Sequence, residues 1–406
     1  MRRNRLLVLG GAGSRELLNA AKRRGIELVI MTVPRTLATA VKREPMIAIE
    51  PLNYAQPLPK IVQSIVDVAQ KYEVCGLVTV FEFGMMPAML AAQKLGFPAQ
   101  SPKAIRNTRD KVQMRRALDA AGMHQIDFAA CKTADDARAF FETIDGPMIL
   151  KPASGTGSDG VALITEASQI EAAWTMTRGA AGFQGATCET YIEGPEVSVE
   201  GFVANGEWVP VAITDKTTND KFLEIGHAQP TRKPAEMQQE IFDYTGRVLA
   251  ALGVDNCWTH TEVRISANGP VIIETHTRSG GASIDLLTRR STGVSTYEVM
   301  FDFALGITPA QRPRQTGEAA VVRFVLGEHG TISQIDVPEQ PETIEYYQID
   351  IRPGDSVNER SASSSRLGHM VGTGRDVDEA ARNAEAFRNA IRVQYEGGPQ
   401  WITQAA

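Results

Sequence analysis

The chain has 406 residues, of which 43% are hydrophobic and 22% are charged, a balance that predicts a globular protein of two or three domains. Acidic side chains outnumber basic ones by 48 to 42, which argues against a broad surface for nucleic acid or an anionic membrane. The four cysteines show no CxxC spacing, so neither a zinc cage nor a disulfide framework is indicated. The apolar run after the basic start is too short for a signal peptide, and no window is long enough to span a membrane. We therefore expect a cytoplasmic protein.

The first part of the chain, residues 1–105, alternates strand and helix patterns. Apolar runs predict three strands, at 5–10, 27–32 and 76–80, and helical patterns occur at 15–24, 61–72 and 87–95. This alternation is typical of an open parallel sheet with helices on both faces. The glycine loop at 10–16 lacks the third glycine of a dinucleotide fingerprint, so a tight β–α turn is favoured over a nicotinamide site. Glu82 ends the third predicted strand, where open sheets bind ligands, and is a candidate contact for a second substrate.

The rest of the chain divides into three further parts. Residues 106–205 follow the start of a helical pattern at 101–122 and hold a small β-rich region, with strands expected at 146–151, 160–164, 187–192 and 197–203. Residues 206–310 form an α+β segment with a strand pair at 259–265 and 270–275. Residues 311–406 begin at a polar break and carry a strand at 320–326 and a helix near 376–393. The fold class is therefore α/β combined with α+β.

A lysine and a glycine-rich loop suggest a phosphate site. Lys151 ends an apolar strand, and Gly155, Gly157 and Gly160 follow it. Glycines let backbone amides approach a phosphate closely, and an ammonium group neutralises its charge. The lysine precedes the glycines, so this is not a Walker loop, and a flexible hairpin flap is implied instead. A surface hairpin rich in small residues is the alternative.

The next acidic residues suggest nucleoside recognition. Glu189 lies in a predicted strand that turns away after Ile192, and such an edge can offer backbone groups to an adenine. Glu196 follows the turn and could accept both ribose hydroxyls. A solvated acidic turn is an equally good interpretation of these residues by themselves.

The strongest pattern is the predicted hairpin at 259–275. Period two places Glu274, His276 and Arg278 on one face. A three-residue loop, or a bulge with the same effect, pairs Glu262 directly with Glu274. Two buried carboxylates need a cation between them, and oxygen ligands suit magnesium, while Arg278 could hold a phosphate or carboxylate. Exposed polar residues on a hairpin are the alternative, which the apolar run at 271–273 disfavours.

The order and spacing of seven residues resemble the ATP-grasp superfamily over roughly residues 1–310. These residues are Lys111, Lys151, Glu189, Glu196, Glu262, Glu274 and Arg278. The resemblance implies an N-terminal open parallel α/β domain, a small lid domain and a catalytic mixed sheet. It also implies that a carboxylate attacks the γ-phosphate of ATP and that an amine or other nucleophile captures the acylphosphate.

The resemblance further implies a role for each residue. Lys111 and Lys151 would contact the α- and β-phosphates, and the loop at 155–160 would close over the β- and γ-phosphates. Glu189 and the Ile192 backbone would read adenine, and Glu196 would read the ribose. The remaining roles are metal binding, by Glu262 and Glu274 with Mg²⁺ or alternatively Mn²⁺, and stabilisation of the transferring phosphoryl group by Arg278.

One position departs from the family pattern, because His276 stands where many members have asparagine. An imidazole is a poorer magnesium ligand than an amide oxygen, so His276 could instead contact phosphate or substrate. Within the superfamily, the segment Arg278-Ser-Gly280-Gly281 looks like the carboxylate–amine ligases that join amino acids, and so does Glu224-Ile-Gly-His227. In that case these residues would face the substrates, although a structural histidine is a close alternative for His227.

Lys216 and Lys221 flank a polar loop that could approach the phosphates, but a solvated loop is the favoured interpretation. The predicted function is ATP-dependent amide-bond formation between small amino or carboxylic acids. The alternative within the superfamily is an enzyme that phosphorylates bicarbonate or formate. Other classes that we considered are a nicotinamide oxidoreductase and a nucleotide sensor without turnover. The expected partners are small molecules, and oligomeric state stays open, with a homodimer suggested by the family.

Overall fold

The computed structural model describes residues 4–155, 157–218, 224–357, 366–397 and 402–403. Its N-terminal part is a four-stranded parallel sheet in the order β3-β2-β1-β4. The elements are β1 Arg5–Leu9, α1 Arg15–Arg24, β2 Glu27–Thr32, α2 Pro34–Leu37, β3 Met46–Pro51, α3 Leu58–Lys71, β4 Gly76–Thr79 and α4 Met85–Leu95. The predicted tight turn after β1 is confirmed, since Gly10 and Gly11 have φ values of 88° and 72° and Ser14 caps α1. The edge strand β3 was not predicted. Most of its residues are only half-buried.

Two short helices connect this part to a small antiparallel sheet. They are α5 Pro102–Arg109 and α6 Lys111–Ala120. The single helical pattern predicted for 101–122 is therefore wrong in one respect: Asp110 leaves the helical conformation and its side chain caps α6. The break lets the Lys111 amide donate to the Ala153 carbonyl at 2.8 Å, which fixes the start of α6 against the small sheet.

The small sheet has the order β5-β8-β6-β7 and carries two helices. Its elements are β5 Phe128–Cys131, α7 Ala134–Phe141, β6 Met148–Pro152, β7 Ala162–Ile164, α8 Ile170–Arg178 and β8 Ala186–Thr190. Apolar side chains of both helices and of the strands form one buried cluster around Leu150 and Trp174. We call this unit the lid.

The remaining chain builds an eight-stranded sheet and a second small sheet. The elements are β9 Glu196–Ala204, β10 Glu207–Thr218, β11 Glu224–Gln229, α9 Ala235–Leu252, β12 Cys257–Ser266, β13 Gly269–His276, α10 Ile284–Thr292, α11 Thr296–Ala304, β14 Ala319–Leu326, β15 Gly330–Asp336, β16 Ile344–Ile349, β17 Ser356–Val357, β18 Arg366–Gly374, α12 Val377–Ala390, β19 Arg392–Tyr395 and β20 Ile402–Thr403. The large sheet has the order β13-β12-β9-β10-β11-β14-β18-β16, and the small one β17-β15-β19-β20.

Strand β9 belongs to the large sheet, where it pairs with β10 and β12. The prediction that placed 197–203 with the lid strands is therefore wrong, because the lid and β9 follow each other in sequence but hydrogen-bond in different sheets. The boundary expected at 205/206 falls inside the hairpin of β9 and β10. The chain after 311 continues the large sheet through β14, β18 and β16.

One apolar cluster joins the N-terminal sheet to the large sheet. It contains Leu6 and Val8 of β1, Phe202 of β9, Trp258 of β12 and Phe301 of α11, all of them at most 1% exposed. This packing fixes the carboxyl end of the parallel sheet beside the end of β13. None of the helices in the described part of the chain has the length and apolar character needed to cross a membrane.

Candidate functional site

A cavity of about 410 Å³ lies between the lid and the large sheet. It brings together most of the residues predicted from the sequence. Those that line it are Lys111, Lys151, Gly155, Gly157, Glu189, Ile192, Glu196, Glu224, His227, Glu262, Glu274, His276, Arg278 and Gly281. Two predicted residues, Glu82 and Gly280, are not among the lining residues. Gly280 lies against His260, and a Cβ atom added there would be 2.9 Å from the imidazole Nδ1.

The hairpin of β12 and β13 positions the central carboxylates. Ser266 lies opposite Gly269 at the turn, and the register shifts by one residue between Val263 and Glu262. This bulge places Glu262 directly opposite Glu274, so the predicted pairing is confirmed. Since strand side chains alternate between faces, both carboxylates and His276 point into the cavity.

Two lysines at the lid side of the cavity have carboxylate partners. Lys111 Nζ lies 2.7 Å from Glu274 Oε2, and Lys151 Nζ lies 2.7 Å from Glu189 Oε2. Burial lowers the pKa of Lys151. Burial acts in the same direction on Lys111, but the Glu274 carboxylate outweighs it and raises the pKa of that lysine. Both pairs therefore put buried positive charge beside the glycine loop.

Glu189 is held from two sides. Arg115 Nε and Nη2 donate to its two oxygens at 3.1 and 2.9 Å, and Arg115 also donates to the carbonyls of Ile272 and Ile273 on β13. Burial would raise the pKa of Glu189, but Arg115 and Lys151 lower it to about 2. The carboxylate thus links the lid, α6 and the large sheet, and the sequence analysis did not identify Arg115.

The feature that departs most from the prediction is Lys216. Its Nζ lies 2.8 Å from Glu196, 2.8 Å from Glu224 and 2.7 Å from Glu262, and its side chain is only 1% exposed. The solvated-loop interpretation is therefore wrong for this residue. The reason is that β10 continues to Thr218, so Lys216 lies within the sheet opposite His227 of β11 and not in a loop. Lys221 lies outside the described residues.

Lys216 and two of its partners, Glu224 and Glu262, stay ionised. Burial would lower the pKa of Lys216, but the three carboxylates raise it well above its usual value. Burial would raise the pKa of Glu262, but Lys216 lowers it to about 2, and the same ammonium lowers the pKa of Glu224 against the effect of burial. Carboxylate oxygens of Glu196, Glu224 and Glu262 come within 4.8 Å of one another, so this ammonium occupies the centre of a cage of acidic groups.

Glu82 lies behind the cavity, in the short turn that follows β4. It accepts hydrogen bonds from Arg278 Nε and His276 Nδ1, both at 2.9 Å, and forms a longer ion pair with Arg109. Burial would raise its pKa, but His276 and Arg278 lower it to about 2. The structure therefore places Glu82 where it orients two cavity residues, whereas the sequence analysis expected a contact with substrate.

Three histidines line the cavity, and each has a different environment. Burial lowers the pKa of His227 to about 4. The pKa of His260 rises to about 9 despite burial, because Glu200 lies 2.7 Å from Nδ1. His276 Nε2 lies 3.2 Å from Glu274. The rings of His260 and His276 stack 6.1 Å apart. His260 was not among the predicted site residues, although it shares its strand face with Glu262.

Two further arginines complete the cavity. Arg264 donates to the Ile192 carbonyl at 2.9 Å and lies over the Tyr191 ring. Its Nε lies 3.3 Å from Glu196. Period two from Glu262 could have identified Arg264. Arg366 comes from β18 and donates to the carbonyl and carboxylate of Glu224, 142 residues away in sequence, and no local pattern points to it.

Comparison with known families agrees with this architecture. Residues 144–285 match the ATP-grasp domain, and residues 323–396 match the L-amino acid ligase C-terminal domain 2. The protein carries an ATP-grasp domain. The predicted ATP-grasp fold is thereby confirmed, with its parallel N-terminal sheet, its lid and its large sheet.

The proteins that are similar to this chain include ligases. Alanine–anticapsin ligase of Bacillus subtilis (strain 168) is 29% identical over 273 residues, which cover 62% of this chain and 58% of the relative. The match thus spans less than two thirds of that protein. The crystal structure of L-amino acid ligase from Bacillus licheniformis superposes with a TM-score of 0.82 at 20% identity, over 97% of this chain and 99% of that chain.

A second curated relative belongs to a different reaction class. Formate-dependent phosphoribosylglycinamide formyltransferase of Methanocaldococcus jannaschii is 21% identical over 405 residues, which cover 96% of each chain. The chain is therefore similar in sequence both to a ligase and to a formate-dependent formyltransferase.

Proposed function

We propose that this protein is an ATP-dependent carboxylate–amine ligase. It joins amino acids or small carboxylic acids through an acylphosphate and releases ADP and phosphate. The observation that carries the proposal is a cavity lined by Lys111, Lys151 and Arg278 together with the opposed carboxylates Glu262 and Glu274. Cations, paired carboxylates and an arginine are the groups that phosphoryl transfer requires.

In this proposal, ATP binds under the lid with its phosphates toward Lys111 and Lys151. The glycines at 155 and 157 let the backbone approach the β- and γ-phosphates. Glu189 positions Lys151 through their 2.7 Å ion pair. The backbone at Ile192 and the carboxylate of Glu196 line the same cavity and suit the adenine and the ribose.

The donor set at Glu262 and Glu274 fits Mg²⁺, with Mn²⁺ as an alternative. Both side chains offer ionised oxygens on facing strands, and hard divalent cations prefer such ligands. Each carboxylate is neutralised by a lysine, Lys216 or Lys111, in the structure. When bound, the metal would neutralise charge on the β- and γ-phosphates. His276 is engaged with Glu82 and Glu274, so we assign it to orientation of Glu274.

The reaction then proceeds in two displacements. A carboxylate oxygen of the acid attacks the γ-phosphorus of ATP, and the bond from that phosphorus to the β–γ bridging oxygen breaks, which releases ADP. The amine nitrogen attacks the acyl carbon and loses a proton, and the bond from that carbon to the phosphate oxygen breaks. Arg278, oriented by Glu82, faces the charge that develops on the transferred group.

The substrates would lie at the rim beside Arg278 and Gly281. The half-buried Glu224 and the buried His227 line the same cavity, and the ionised carboxylate of Glu224 suits a substrate ammonium. His227 carries no charge at neutral pH, because burial lowers its pKa to about 4. We therefore assign both residues to recognition of the amino group.

A nucleotide-product assay tests this proposal. The purified protein is incubated with Mg²⁺, ATP and paired amino acids or small carboxylates, and ADP, AMP, phosphate and pyrophosphate are resolved. We expect ADP and phosphate only with particular pairs. AMP with pyrophosphate would overturn the acylphosphate route.

Matched variants assign the activity to the site. Glu274→Gln should lower turnover at least 100-fold, because one of the two opposed carboxylates loses its charge. Glu240→Gln changes an exposed glutamate of α9 and should keep the parent rate. Equal activity of both variants would remove Glu274 from the mechanism.

The second candidate function is phosphorylation of formate or bicarbonate. It is favoured by the full-length match to a formate-dependent formyltransferase. The same assay separates the candidates, since formate or bicarbonate would then stimulate ADP release in the absence of amino acids.

A further inference from the structure

The segment that joins β13 to α10 supplies part of the wall of the candidate site. Arg278, Gly281 and Ala282 line the cavity between the lid and the large sheet, and so does Ile284, the first residue of α10. A glycine presents only its backbone. The conformation of this segment therefore determines which backbone groups a bound molecule meets beside Arg278.

The backbone of this segment is strained. Ala282 and Ser283 have φ values of 48° and 61°, in the left-handed region that residues with a Cβ atom rarely adopt. Such a conformation persists only where the surrounding structure holds it, and it is common at sites that position a ligand. Two consecutive residues of this kind therefore need a contact that holds them in place.

Ser283 occupies the N-cap position of α10 but does not cap the helix. A serine at this position usually has an extended backbone, and its hydroxyl accepts a hydrogen bond from the second or third amide of the helix. The Ser283 hydroxyl accepts no such bond from the described first turn of α10, and it lies 2.9 Å from His369 Nε2 instead. The side chain that would cap the helix is thus engaged with a strand 86 residues further along the chain.

His369 lies on β18, in the part of the chain that matches the L-amino acid ligase C-terminal domain 2. Its ring lies close to the rings of Phe324 and Tyr346, at centroid distances of 6.1 and 5.6 Å. Burial lowers the pKa of His369, so the ring is neutral at pH 7.5 and has one donor and one acceptor nitrogen. Strand β18 pairs with β14 and β16 in the large sheet, which gives the imidazole a fixed position.

We propose that His369 is a positioning residue, which holds the strained segment through its hydrogen bond to Ser283 and so fixes the cavity-lining backbone of Gly281 and Ala282. This inference rests on the proposed function, in which the substrates bind beside Arg278 and Gly281. His369 is not among the described residues that line the cavity, so its effect on the reaction passes through the segment. The C-terminal part of the chain thereby takes part in substrate binding without touching the substrate.

Hydrogen exchange of the full-length protein, followed by mass spectrometry, tests the positioning without a substrate. Ser283→Ala and His369→Phe each remove the hydrogen bond, and the second variant keeps a ring on β18. Each should raise exchange about three- to tenfold in peptides that cover 281–287, because amides of this range bond to the carbonyls of Gly281 and Ser283.

The double variant shows whether the two side chains act through one contact. It should exchange no faster than the faster single variant, since both substitutions remove the same hydrogen bond. Additive effects in the double variant, or unchanged exchange in either single variant, would overturn the proposal.

Tyr346→Phe is the matched control. It keeps the ring beside His369 and removes a hydroxyl that donates to Gln348, so exchange at 281–287 should stay as in the parent. An increase equal to that of His369→Phe would mean that any change near β16 and β18 loosens the segment, and it would overturn the specific role of His369.

Binding and kinetics separate positioning from a general loss of structure. Calorimetric titration with ADP and Mg²⁺ should give the Ser283→Ala and His369→Phe proteins a Kd within twofold of the parent. With a substrate pair that releases ADP in the product assay, both variants should raise the KM for the acid about three- to tenfold and leave the KM for ATP unchanged. Weaker binding of ADP, or equal increases in both KM values, would overturn the proposal. If the parent releases ADP with no pair, the proposed ligase function fails, whereas the exchange experiment still decides whether His369 holds the segment.

Discussion

The ammonium of Lys216 is the counter-ion of three carboxylates, so Lys216→Met isolates what that charge contributes. The substitution keeps a long apolar side chain and leaves Glu196, Glu224 and Glu262 facing one another. Removing one partner of a buried ion pair costs about 3–5 kcal/mol. With an unfolding entropy of about 2.1 cal/mol/K per residue, a chain of 406 residues has about 0.85 kcal/mol/K. We therefore expect Tm to fall by about 4–6 °C.

Differential scanning fluorimetry at pH 7.5 without metal measures this effect. The Tm deficit of the variant should shrink toward pH 5, because Glu224 and Glu262 take up protons once Lys216 no longer lowers their pKa values. Added Mg²⁺ should raise the Tm of the variant more than that of the parent, since a divalent cation can replace the lost charge.

Lys233→Met is the matched control. Its ammonium lies 3.6 Å from Asp215, and its side chain is 24% exposed, so the loss should stay below about 1 kcal/mol. A Lys216→Met protein that melts within 1 °C of the parent, or whose deficit does not change with pH, would refute the reasoning.

Three further predictions follow from the same structure. Lys151→Ala should raise the KM for ATP at least tenfold in the product assay, while a melting transition shows that the variant still folds. An unchanged KM would mean that the phosphates bind elsewhere. His260 has a pKa raised to about 9, so the contribution of its charged ring to the stability of the fold is complete below about pH 6.5 and is lost as pH rises to 9. The Tm difference between the parent and His260→Gln should therefore narrow over that range, and a constant difference would contradict this assignment. Burial and Glu16 raise the pKa of Asp285 to about 7, so its ionisation opposes folding as pH rises. The Tm of Asp285→Asn relative to the parent should therefore increase between pH 4 and pH 7 and stay higher above pH 7. A Tm advantage at pH 4 alone would refute the assignment.

Local sequence patterns were enough to predict those parts of the candidate site that lie on one strand or hairpin. Alternation along β13 placed Glu274 and His276 on one face. The pairing of Glu262 with Glu274 was predicted through either a three-residue loop or a bulge, and the structure contains the bulge. The glycines after Lys151 indicated the loop at the cavity wall. These inferences worked because they depend on neighbours within a strand or hairpin, where geometry follows from the period of the backbone.

Which charged groups contact one another depends on the packing of the whole chain. Lys216 contacts Glu196, Glu224 and Glu262 because β9, β10, β11 and β12 lie side by side. Glu82 reaches Arg278 across 196 residues of sequence, so it supports the cavity from behind instead of lining it. Pairings of this kind depend on strand order and on the packing of one sheet against another, and neither is encoded in the local pattern around any one residue. A buried charge is fixed by its distant partners, whereas a strand face is fixed by its own neighbours.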